Sequence, residues 1–185
     1  IFTEYSRSFG SHNMKVMGGF QSEWMRPRNF TAIRDGVLSG LPTLDTTSSN
    51  PRVGGAYNKW TTAGFFGRVN YDYLSRYMFE ANLRYDGSSR FLRDNRWNLF
   101  PSFSAGWNVG HEEFWESLSS TINTFKLRAS WGELGNQNTD SWYPFYSTIG
   151  YNPNNSHWLV NGEKPNTASQ PGLVSSLLAW EKSRT

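Results

Sequence analysis

One cluster and two glycine-containing stretches hold residue types that can do chemistry. His111, Glu112 and Glu113 stand side by side, and imidazole and carboxylate groups serve both as metal ligands and as acid–base catalysts. No partner at ligand spacing accompanies them, so no metal site is predicted. Acidic residues here suit the first turn of a short helix near 111–118, where they face the positive end of its dipole. The cluster therefore predicts a structural element.

The two glycine-containing stretches resemble nucleotide-binding loops only in part. "DGSSRF" at 86–91 could hold an anion through Gly87 and two hydroxyls, but it lacks the lysine and the helix of a phosphate loop. "GELGNQN" at 132–138 also has no helix after it. We interpret both stretches as strands ending in turns. The sequence, which contains no cysteine, predicts neither an enzyme nor a bound cofactor.

Aromatic residues give a stronger indication of ligand binding. They make up 17% of the 185 residues, and aromatic rings stack on sugar faces or hold peptide side chains. Several lie in or near long polar segments. The alternative is that they pack loops together or lie in an aromatic girdle at a membrane interface. The candidate ligand contacts are Trp97, Trp142, Tyr143, Tyr146 and Trp158.

Composition and charge exclude several classes of protein. With 37% hydrophobic and 18% charged residues, the chain has the composition of a folded protein. The net charge of +3 comes from scattered basic residues, so nucleic-acid binding is not indicated. No apolar run approaches the roughly 18 residues that a transmembrane helix needs, so any membrane span must consist of strands.

The elements that must position these residues are strands. Alternation of apolar and polar residues with period 2 recurs along the chain. In one segment Tyr77, Phe79, Ala81, Leu83 and Tyr85 alternate with Glu80, Asn82, Arg84 and Asp86. The sequence therefore predicts an antiparallel meander. Its strands are 13–24, 64–73, 77–86, 100–109 and 125–132.

The connections between the predicted strands fall into two classes. Residues 10–13 and 74–76 form short turns, whereas 26–56, 87–98 and 135–177 are long and polar. In an antiparallel meander this sorts the long loops onto one rim, as in an outer-membrane barrel. A β-sandwich has no comparable reason to sort its loops. We predict an all-β fold that forms part of a large transmembrane β-barrel.

In such a barrel, the two faces of these strands would contact different environments. The apolar face would meet lipid, with tyrosines beside residues 74–76 as an interfacial girdle. Opposite charges on the polar face would meet across neighbouring strands and contribute about 0.2–1 kcal/mol per pair. The alternative is a soluble, aromatic-rich carbohydrate-binding sheet, because alternation alone also suits a face packed on a core. The predicted lumen-facing residues are Arg68, Asp72, Glu80, Arg84, Asp86, Lys126 and Arg128.

Three phrases carry a resemblance to a known family. They are "GRVNYDYLSRYMFEANLRYDGSSRF" at 67–91, "NRWNLFPSFSAGWNVGHEEF" at 95–114 and "FKLRASWGELGNQN" at 125–138. Together with "YSRSFGSHNMKVMGGFQSE" at 5–23 and the terminal "LLAWEKSRT", they resemble the SusC/RagA family of TonB-dependent outer-membrane transporters of Bacteroidota. The resemblance covers almost the whole chain, in the family's order.

The resemblance implies a large single-chain barrel of about 22 strands, closed by a plug domain. It implies import of an oligosaccharide or a peptide across the outer membrane, with a SusD-like surface lipoprotein as partner. Energy would come from the TonB complex acting on the plug. Residues 1–185 would supply about six strands of the wall, and we expect the plug, the N-terminal region and the C-terminal strands to lie outside them. A passive porin would lack the plug and the energy coupling.

Overall fold

The computed structural model describes residues 1–37, 40 and 43–185, and its regular structure is almost entirely antiparallel strand. This confirms the predicted all-β fold. The strands are β1 Phe2–Phe9, β2 His12–Met25, β3 Arg28–Val37, β4 Thr47–Tyr57, β5 Trp60–Tyr73, β6 Tyr77–Ser88, β7 Trp97–Asn108, β8 Lys126–Asn136, β9 Gly150–Asn152, β10 Thr167–Ser169 and β11 Glu181–Arg184.

Seven of these strands form one sheet in the order β1-β2-β5-β6-β7-β8-β11. The predicted pairing of 64–73 with 77–86 is confirmed, since Tyr73 lies opposite Tyr77 and Phe65 opposite Tyr85. Leu74 and Ser75 form the turn with φ of 55° and 56°. The Arg76 amide donates to the Tyr73 carbonyl at 2.9 Å and closes this turn, and positive φ at both central residues matches the twist of the flanking strands.

The segment 26–56 was predicted as a long polar loop, and this prediction is wrong for most of its length. It contains the antiparallel pair β3 and β4. Their pairing continues that of β2 with β5 without a shift: Met25 pairs with Trp60, the Asn58 amide donates to the Pro27 carbonyl, and Arg28 pairs with Tyr57. A register already set by two long strands therefore extends into residues of weak strand propensity. Residues 38, 39, 41 and 42 of this predicted loop lie outside the described residues.

The connection between β7 and β8 contains the short helix predicted near 111–118. It consists of two 3₁₀ helices, Val109–His111 and Glu113–Leu118, instead of one continuous helix. The Trp115 ring stacks on Phe125 with centroids 5.0 Å apart, and the Gly110 amide donates to the Phe125 carbonyl at 3.0 Å. These contacts hold the connection against the start of β8.

The two faces of the sheet differ sharply in chemistry. The apolar face is the one to which β5–β8 contribute Phe65, Phe79, Phe103 and Leu127, and these strands place no Asp, Glu, Lys or Arg on it before Glu133. These four side chains are 44–54% exposed. Among the described residues, the buried apolar side chains are only Phe91, Phe100 and Val109. The apolar residues therefore cover the outside of the sheet and do not fill a core.

Aromatic side chains on the apolar face form two rows, one at each end of the strands. In the short-turn row, rings stack in sequence across the strands with centroids 4.7–6.4 Å apart. In the long-loop row the corresponding spacing is 5.0–6.4 Å. The short-turn row is Phe9, His12, Tyr73, Tyr77 and Trp107, and the long-loop row is Phe20, Phe65, Tyr85 and Trp97.

Helices contribute little to the fold. Within the part of the chain that the structure describes, no helix is long and apolar enough to cross a membrane.

Candidate functional site

The polar face, opposite the apolar face, contains all seven residues that were predicted to face a lumen. The registers bring them together: Arg68 lies opposite Asn82, Glu80 opposite Asn70, and Asp86 opposite Gly64. On β8, Lys126 and Arg128 lie opposite residues of β7 that share the same face. Arg84 lies four residues from Glu80 on β6, and Asp72 lies four residues from Arg68 on β5, so both are on the same face as these residues. The alternation in the sequence was sufficient to find this set.

The polar face is also the concave face of the sheet. A hollow of about 640 Å³ is bounded by side chains of six strands, from β1 to β8. Asp72 and Glu80 line it from β5 and β6, and Lys126 and Arg128 line it from β8. Lys15 also lines the hollow, from β2, so the β2–β6 side carries charges of both signs, whereas the β8 side, beyond the small residues of β7, is basic.

Asparagine side chains link the charges of the polar face. Glu80 accepts hydrogen bonds from Asn70 at 3.1 Å and from Asn82 at 2.7 Å. Asn82 in turn accepts from the Arg68 guanidinium. Because each amide has both donors and an acceptor, it can join a carboxylate to a guanidinium that does not touch it.

The expected pairing of opposite charges across strands is wrong for Arg84. Its guanidinium bonds Asp86, two residues along the same strand, with N–O distances of 3.0 and 3.1 Å. The facing positions on β5 and β7 are Phe66 and Phe100, which offer no carboxylate, although the guanidinium lies 5.8 Å from the centre of the Phe66 ring. The carboxylate of Asp86 fits there because Gly64 opposite it has no side chain.

The two cations of β8 are the least satisfied charges of the hollow. The Lys126 ammonium lies 3.1 Å from the Met78 sulfur, a weak acceptor. Arg128 has no carboxylate within ion-pair distance among the described residues. On β5, the Asn70 side-chain oxygen is buried without a partner in the described part of the chain. The hollow thus presents hydrogen-bond donors of Lys126 and Arg128 that no carboxylate of the described residues pairs with.

Two of the predicted loop aromatics lie together at a second hollow. Tyr143 and Tyr146 line a space of about 490 Å³, with Asp140 and Leu173 among its other walls. Their rings meet edge to face at 6.3 Å, and the Lys59 amide donates to the Tyr143 hydroxyl at 3.0 Å. Tyr146 is 62% exposed. Aromatic rings beside a carboxylate in an open space can hold a polar ligand with apolar faces.

Two other predicted aromatics lie outside this loop hollow. Trp142 packs against the guanidinium of Arg90, which lies 5.4 Å from it and 5.6 Å from Trp60 on the opposite side. This stacking ties the β6–β7 loop to the segment after β8. Trp158 is exposed, and its backbone carbonyl accepts a hydrogen bond from Ser156.

The expectation for Trp97 requires correction. It is the first residue of β7 and belongs to the long-loop row, where its ring stacks on Tyr85 at 5.0 Å. A Cβ atom built on Gly87, directly opposite, would lie 2.6 Å from this ring. The ring therefore occupies the space that the glycine leaves on the apolar face. A tryptophan at a strand end looks like a loop residue in sequence until its face is known.

Sequence reasoning missed an aromatic cluster on the polar side, near the long loops. The Trp180 ring lies 5.4 Å from Phe91 and 5.3 Å from Phe100, and its indole N–H donates to the Arg96 carbonyl at 2.9 Å. Asn95 donates to the carbonyls of Ser176 and Leu178. The cluster fastens the segment before β11 to the β6–β7 loop. A lone tryptophan directly before a strand was the available signal.

Glu112 was also missed, since it was interpreted only as a helix start. It accepts hydrogen bonds from the Tyr77 hydroxyl at 2.6 Å and the Trp107 indole at 2.9 Å, and it lies 3.3 Å from the Arg76 guanidinium. The hydrogen bond from Tyr77 first, then that from Trp107, lowers the pKa of the Glu112 carboxyl, and Arg76 adds to this. Glu112 thus links the 3₁₀ helices to the short-turn row as an anion.

The described residues form no group of side chains that could bind a metal ion. Nowhere in residues 1–37 or 43–185 do three His, Asp or Glu side chains come close enough to hold an ion.

Comparison with known proteins identifies the same architecture throughout the chain. A profile described as "TonB dependent receptor-like, beta-barrel" matches residues 2–185. The TonB-dependent receptor SusC of Bacteroides thetaiotaomicron is 31% identical over 186 residues, covering 100% of this chain. The TonB-dependent receptor P39 of Formosa agariphila is 40% identical over 186 residues, covering 98% of it.

Among solved structures, the RagAB peptide transporter superposes with a TM-score of 0.74 at 21% identity, covering 99% of this chain and 20% of that one. At this identity the likeness concerns the fold. The chain spans 18% of the length of SusC and 17% of that of P39.

Proposed function

The chain belongs to the TonB-dependent receptor family, as a part of its β-barrel, and from this premise we propose that it forms a section of the wall of an outer-membrane nutrient importer. The whole receptor would take up an oligosaccharide or a peptide. A SusD-like surface lipoprotein would assist at the long-loop rim, and the TonB complex would supply energy through a plug. The chain itself breaks no bonds in this proposal.

The observation that carries the proposal is the opposed chemistry of the two faces of one sheet. An exposed apolar face on which the paired residues of β5–β8 place no charge suits lipid, and a concave face with linked charges suits a wet passage. The spacing of the aromatic rows agrees with this. Tyr77 and Tyr85 are eight residues apart on β6, which is about 26 Å along a strand. A strand tilt of about 40° reduces this to about 20 Å, near the height of a barrel's apolar band.

The soluble carbohydrate-binding alternative fits these observations poorly. A soluble sheet of this size packs its apolar face on a second layer. Here Phe65, Phe103 and Leu127 have no such layer among the described residues, and each is 44–54% exposed. In water, this much exposed apolar surface would make the protein prone to aggregate.

Uptake by cells tests the proposal as a whole. We expect deletion of the gene for the full-length receptor to abolish uptake of one class in a panel of labelled oligosaccharides and peptides. Loss of TonB should have the same effect. Unchanged uptake of every compound, together with a monodisperse protein purified without detergent, would contradict both the importer and its membrane location.

Binding by the full-length receptor tests the loop hollow. Tyr146→Ala removes a ring that lines it, and we expect affinity for the imported compound to fall about three- to tenfold, as an aromatic contact of about 0.5–1.5 kcal/mol implies. Tyr151→Ala is the matched control, because Tyr151 is equally exposed, at 66%, but lies outside the hollow. Equal effects of the two variants would argue against ligand contact at Tyr146.

A further inference from the structure

The connection between β7 and β8, residues 109–125, folds over the apolar side of the sheet. Shortly after β7 ends, the Glu112 carboxylate accepts hydrogen bonds from the Tyr77 hydroxyl at 2.6 Å and from the Trp107 indole at 2.9 Å. Both rings belong to the short-turn row of the apolar face. The polar face lies on the opposite side of the same strands. The connection is therefore fastened at the apolar side of the strand ends.

A second contact fixes the other end of the connection on the same side. Phe125 directly precedes β8 and lies two residues before Leu127 of the apolar face, which is the spacing of side chains on one face of a strand. The Trp115 ring stacks on Phe125 with centroids 5.0 Å apart, and its indole N–H donates to the Ile122 carbonyl at 2.9 Å. The Ile122 amide donates to the Leu118 carbonyl at 2.9 Å. The connection thus forms one packed unit beside the apolar face.

The second 3₁₀ helix of the connection has an acidic side and an apolar side. Residues three apart lie on one side of a 3₁₀ helix, so Glu113 and Glu116 share a side. Trp115 and Leu118 share another. Glu113 comes within 3.9 Å of Arg76, in the turn just beyond the short-turn row. The acidic side is therefore directed toward the ends of the strands, away from the apolar band.

Large apolar side chains of this unit lie open. Phe114 is 64% exposed, and Leu118 and Ile122 are each 48% exposed. A group of exposed apolar side chains marks a contact surface. Because the unit is held on the apolar side, the interior of a barrel would lie behind the sheet, out of reach of these side chains. Their partner is therefore the medium that surrounds the wall.

The level of the unit matches the interfacial layer of a membrane. Leu127 lies opposite Trp107 of the short-turn row. Phe125 is two residues further out, which is about 7 Å along the strand, or about 5 Å of height at a tilt of about 40°. The headgroup layer outside each edge of the apolar band is about 5–7 Å thick. Phe125 and the Trp115 ring stacked on it therefore lie within this layer.

The helix runs across the strand ends and not away from them. Its start is fixed at β6 and β7, through the contacts of Glu112 with residues of these strands. One turn later, Trp115 lies against the residue that precedes β8. Phe114 stands between these two contacts in the sequence, so it lies at their level. Leu118 follows Trp115 by about 6 Å along the same axis.

We propose that the connection between β7 and β8 is an interfacial anchor that binds zwitterionic phospholipid. Phe114 and Leu118 insert among the phospholipids of the leaflet at the short-turn end, in the way that an amphipathic helix lies in the plane of an interface. Glu113 and Glu116 stay in water. Residues 109–125 contain three Glu and no Lys or Arg, so anionic lipid is not favoured. The inference rests on the proposed membrane orientation of the sheet and extends membrane contact to a segment outside the strands.

The test uses the full-length receptor, made free of other cysteines, in vesicles of phosphatidylcholine. Phe114→Cys and Leu118→Cys each carry a fluorescent label. Lipids that are spin-labelled near the headgroup quench a label in the interface, and iodide quenches a label in water. We expect both labels to be quenched by lipid and to be protected from iodide about tenfold, the factor that corresponds to about 1.4 kcal/mol of apolar burial.

Glu113→Cys is the matched control, because it carries the same label beside Phe114 but on the acidic side, where the Glu113 side chain is 92% exposed. This label should be quenched by iodide and not by lipid. The same quenching pattern at all three positions would overturn the inference. So would protection from iodide without quenching by lipid, which would assign the exposed side chains to a protein contact.

Unlabelled variants test the contact with no added fluorophore. F114S/L118S removes two apolar side chains, and we expect the protection of the amides in 109–125 to fall about tenfold in vesicles, by the same reasoning. E113S/E116S makes two changes in the same helix on its acidic side and should leave this protection unchanged. Equal losses in the two variants would contradict insertion of the apolar side.

Failure of the proposed function gives a separate result. A label on Ala81→Cys, in the middle of β6 on the apolar face, reports whether the wall has inserted, through quenching by lipids that are spin-labelled deep in the acyl chains. Quenching there, with equal patterns for F114C and E113C, contradicts only the interfacial anchor. No quenching there contradicts the membrane orientation itself.

Discussion

The two faces of β5–β8 are made by alternate residues of the same strands, yet they follow different rules. On the apolar face, Phe79, Ala81 and Leu83 differ in size and share only their lack of polar groups. On the polar face, Glu80 and Asn82 are bound to each other and to specific neighbours. A lipid environment requires only that a side chain be apolar, whereas a wet wall without a core must fix its charged groups individually. Placing a charge on one face and then on the other tests these two requirements separately.

The largest effect is expected from a charge on the apolar face. Phe103→Arg places a guanidinium in the middle of β7, and we expect the free energy of unfolding in lipid vesicles to fall by about 2–4 kcal/mol. Ser104→Arg, the next residue, points to the polar face opposite Glu80 and should change stability by less than about 1 kcal/mol. Denaturant titration of the full-length receptor measures both. Equal destabilisation would contradict the assignment of the two faces.

A smaller effect is expected at the aromatic cluster on the polar side, where rings pack against each other instead of charges being paired. Trp180→Ala removes the ring that contacts Phe91 and Phe100 and the donor to Arg96. We expect a local loss of about 2 kcal/mol, less than for a fully buried tryptophan because this ring is partly exposed. Amide exchange in 89–96 should accelerate about 30-fold.

Trp158→Ala supplies the control for this cluster, since Trp158 is 58% exposed and has no ring contact among the described residues. It should leave exchange in 89–96 unchanged. If Trp180→Ala also left exchange unchanged, the β6–β7 loop would be held mainly by the contacts of Arg90 and the hydrogen bonds of Asn95.

The smallest effect is expected at the short-turn rim, where the apolar face meets Glu112. The pKa of this carboxyl is lowered in the folded protein, so its contribution is complete above the ordinary pKa of about 4.3 and is lost as pH falls through the lowered value. The protection factors of the amides in 109–125, which correct for the intrinsic pH dependence of exchange, should therefore fall on acidification below that range. Glu112→Gln should flatten this pH dependence.

Glu113→Gln tests whether the pH dependence belongs to Glu112. The Glu113 side chain is 92% exposed and only reaches 3.9 Å from Arg76. We expect its pH profile to match that of the unmodified receptor. A flattened profile in Glu113→Gln would assign the effect to the general charge of the connection.

The sequence was sufficient for the regular wall because two environments impose one period on it. In the proposed barrel wall, lipid and water on opposite sides would require strict alternation, and Arg68, Glu80 and Arg128 were assigned to one face from that pattern alone. The sorting of short and long connections then indicated the direction of the strands. The local sequence pattern and the global fold agree here, so both can be predicted from the sequence.

The other features of the structure depend on contacts between residues that are far apart in the sequence, which a local pattern does not contain. β3 and β4 contain Gly54, Gly55 and Pro51, and the Ile33/Asp35 bulge breaks their alternation, so only the inherited register makes them strands. Trp180 reaches the Arg96 carbonyl across 84 residues of sequence. The face of Trp97 became clear only from its partner, Gly87. Each of these contacts is set by which strands are neighbours.

The unbroken register through Pro27 and Asn58 has a consequence for insertions and deletions. In the ribbon formed by β2–β3 and β4–β5, one residue added to one strand between Trp24 and Arg28 would turn every later side chain of that strand to the opposite side. Arg28 and Phe30 would exchange sides with Asn29 and Thr31. Two residues added to each strand would preserve the sides and lengthen the ribbon by about 7 Å. The distance from the seven-stranded sheet to the end of the ribbon can therefore change only in steps of two residues per strand.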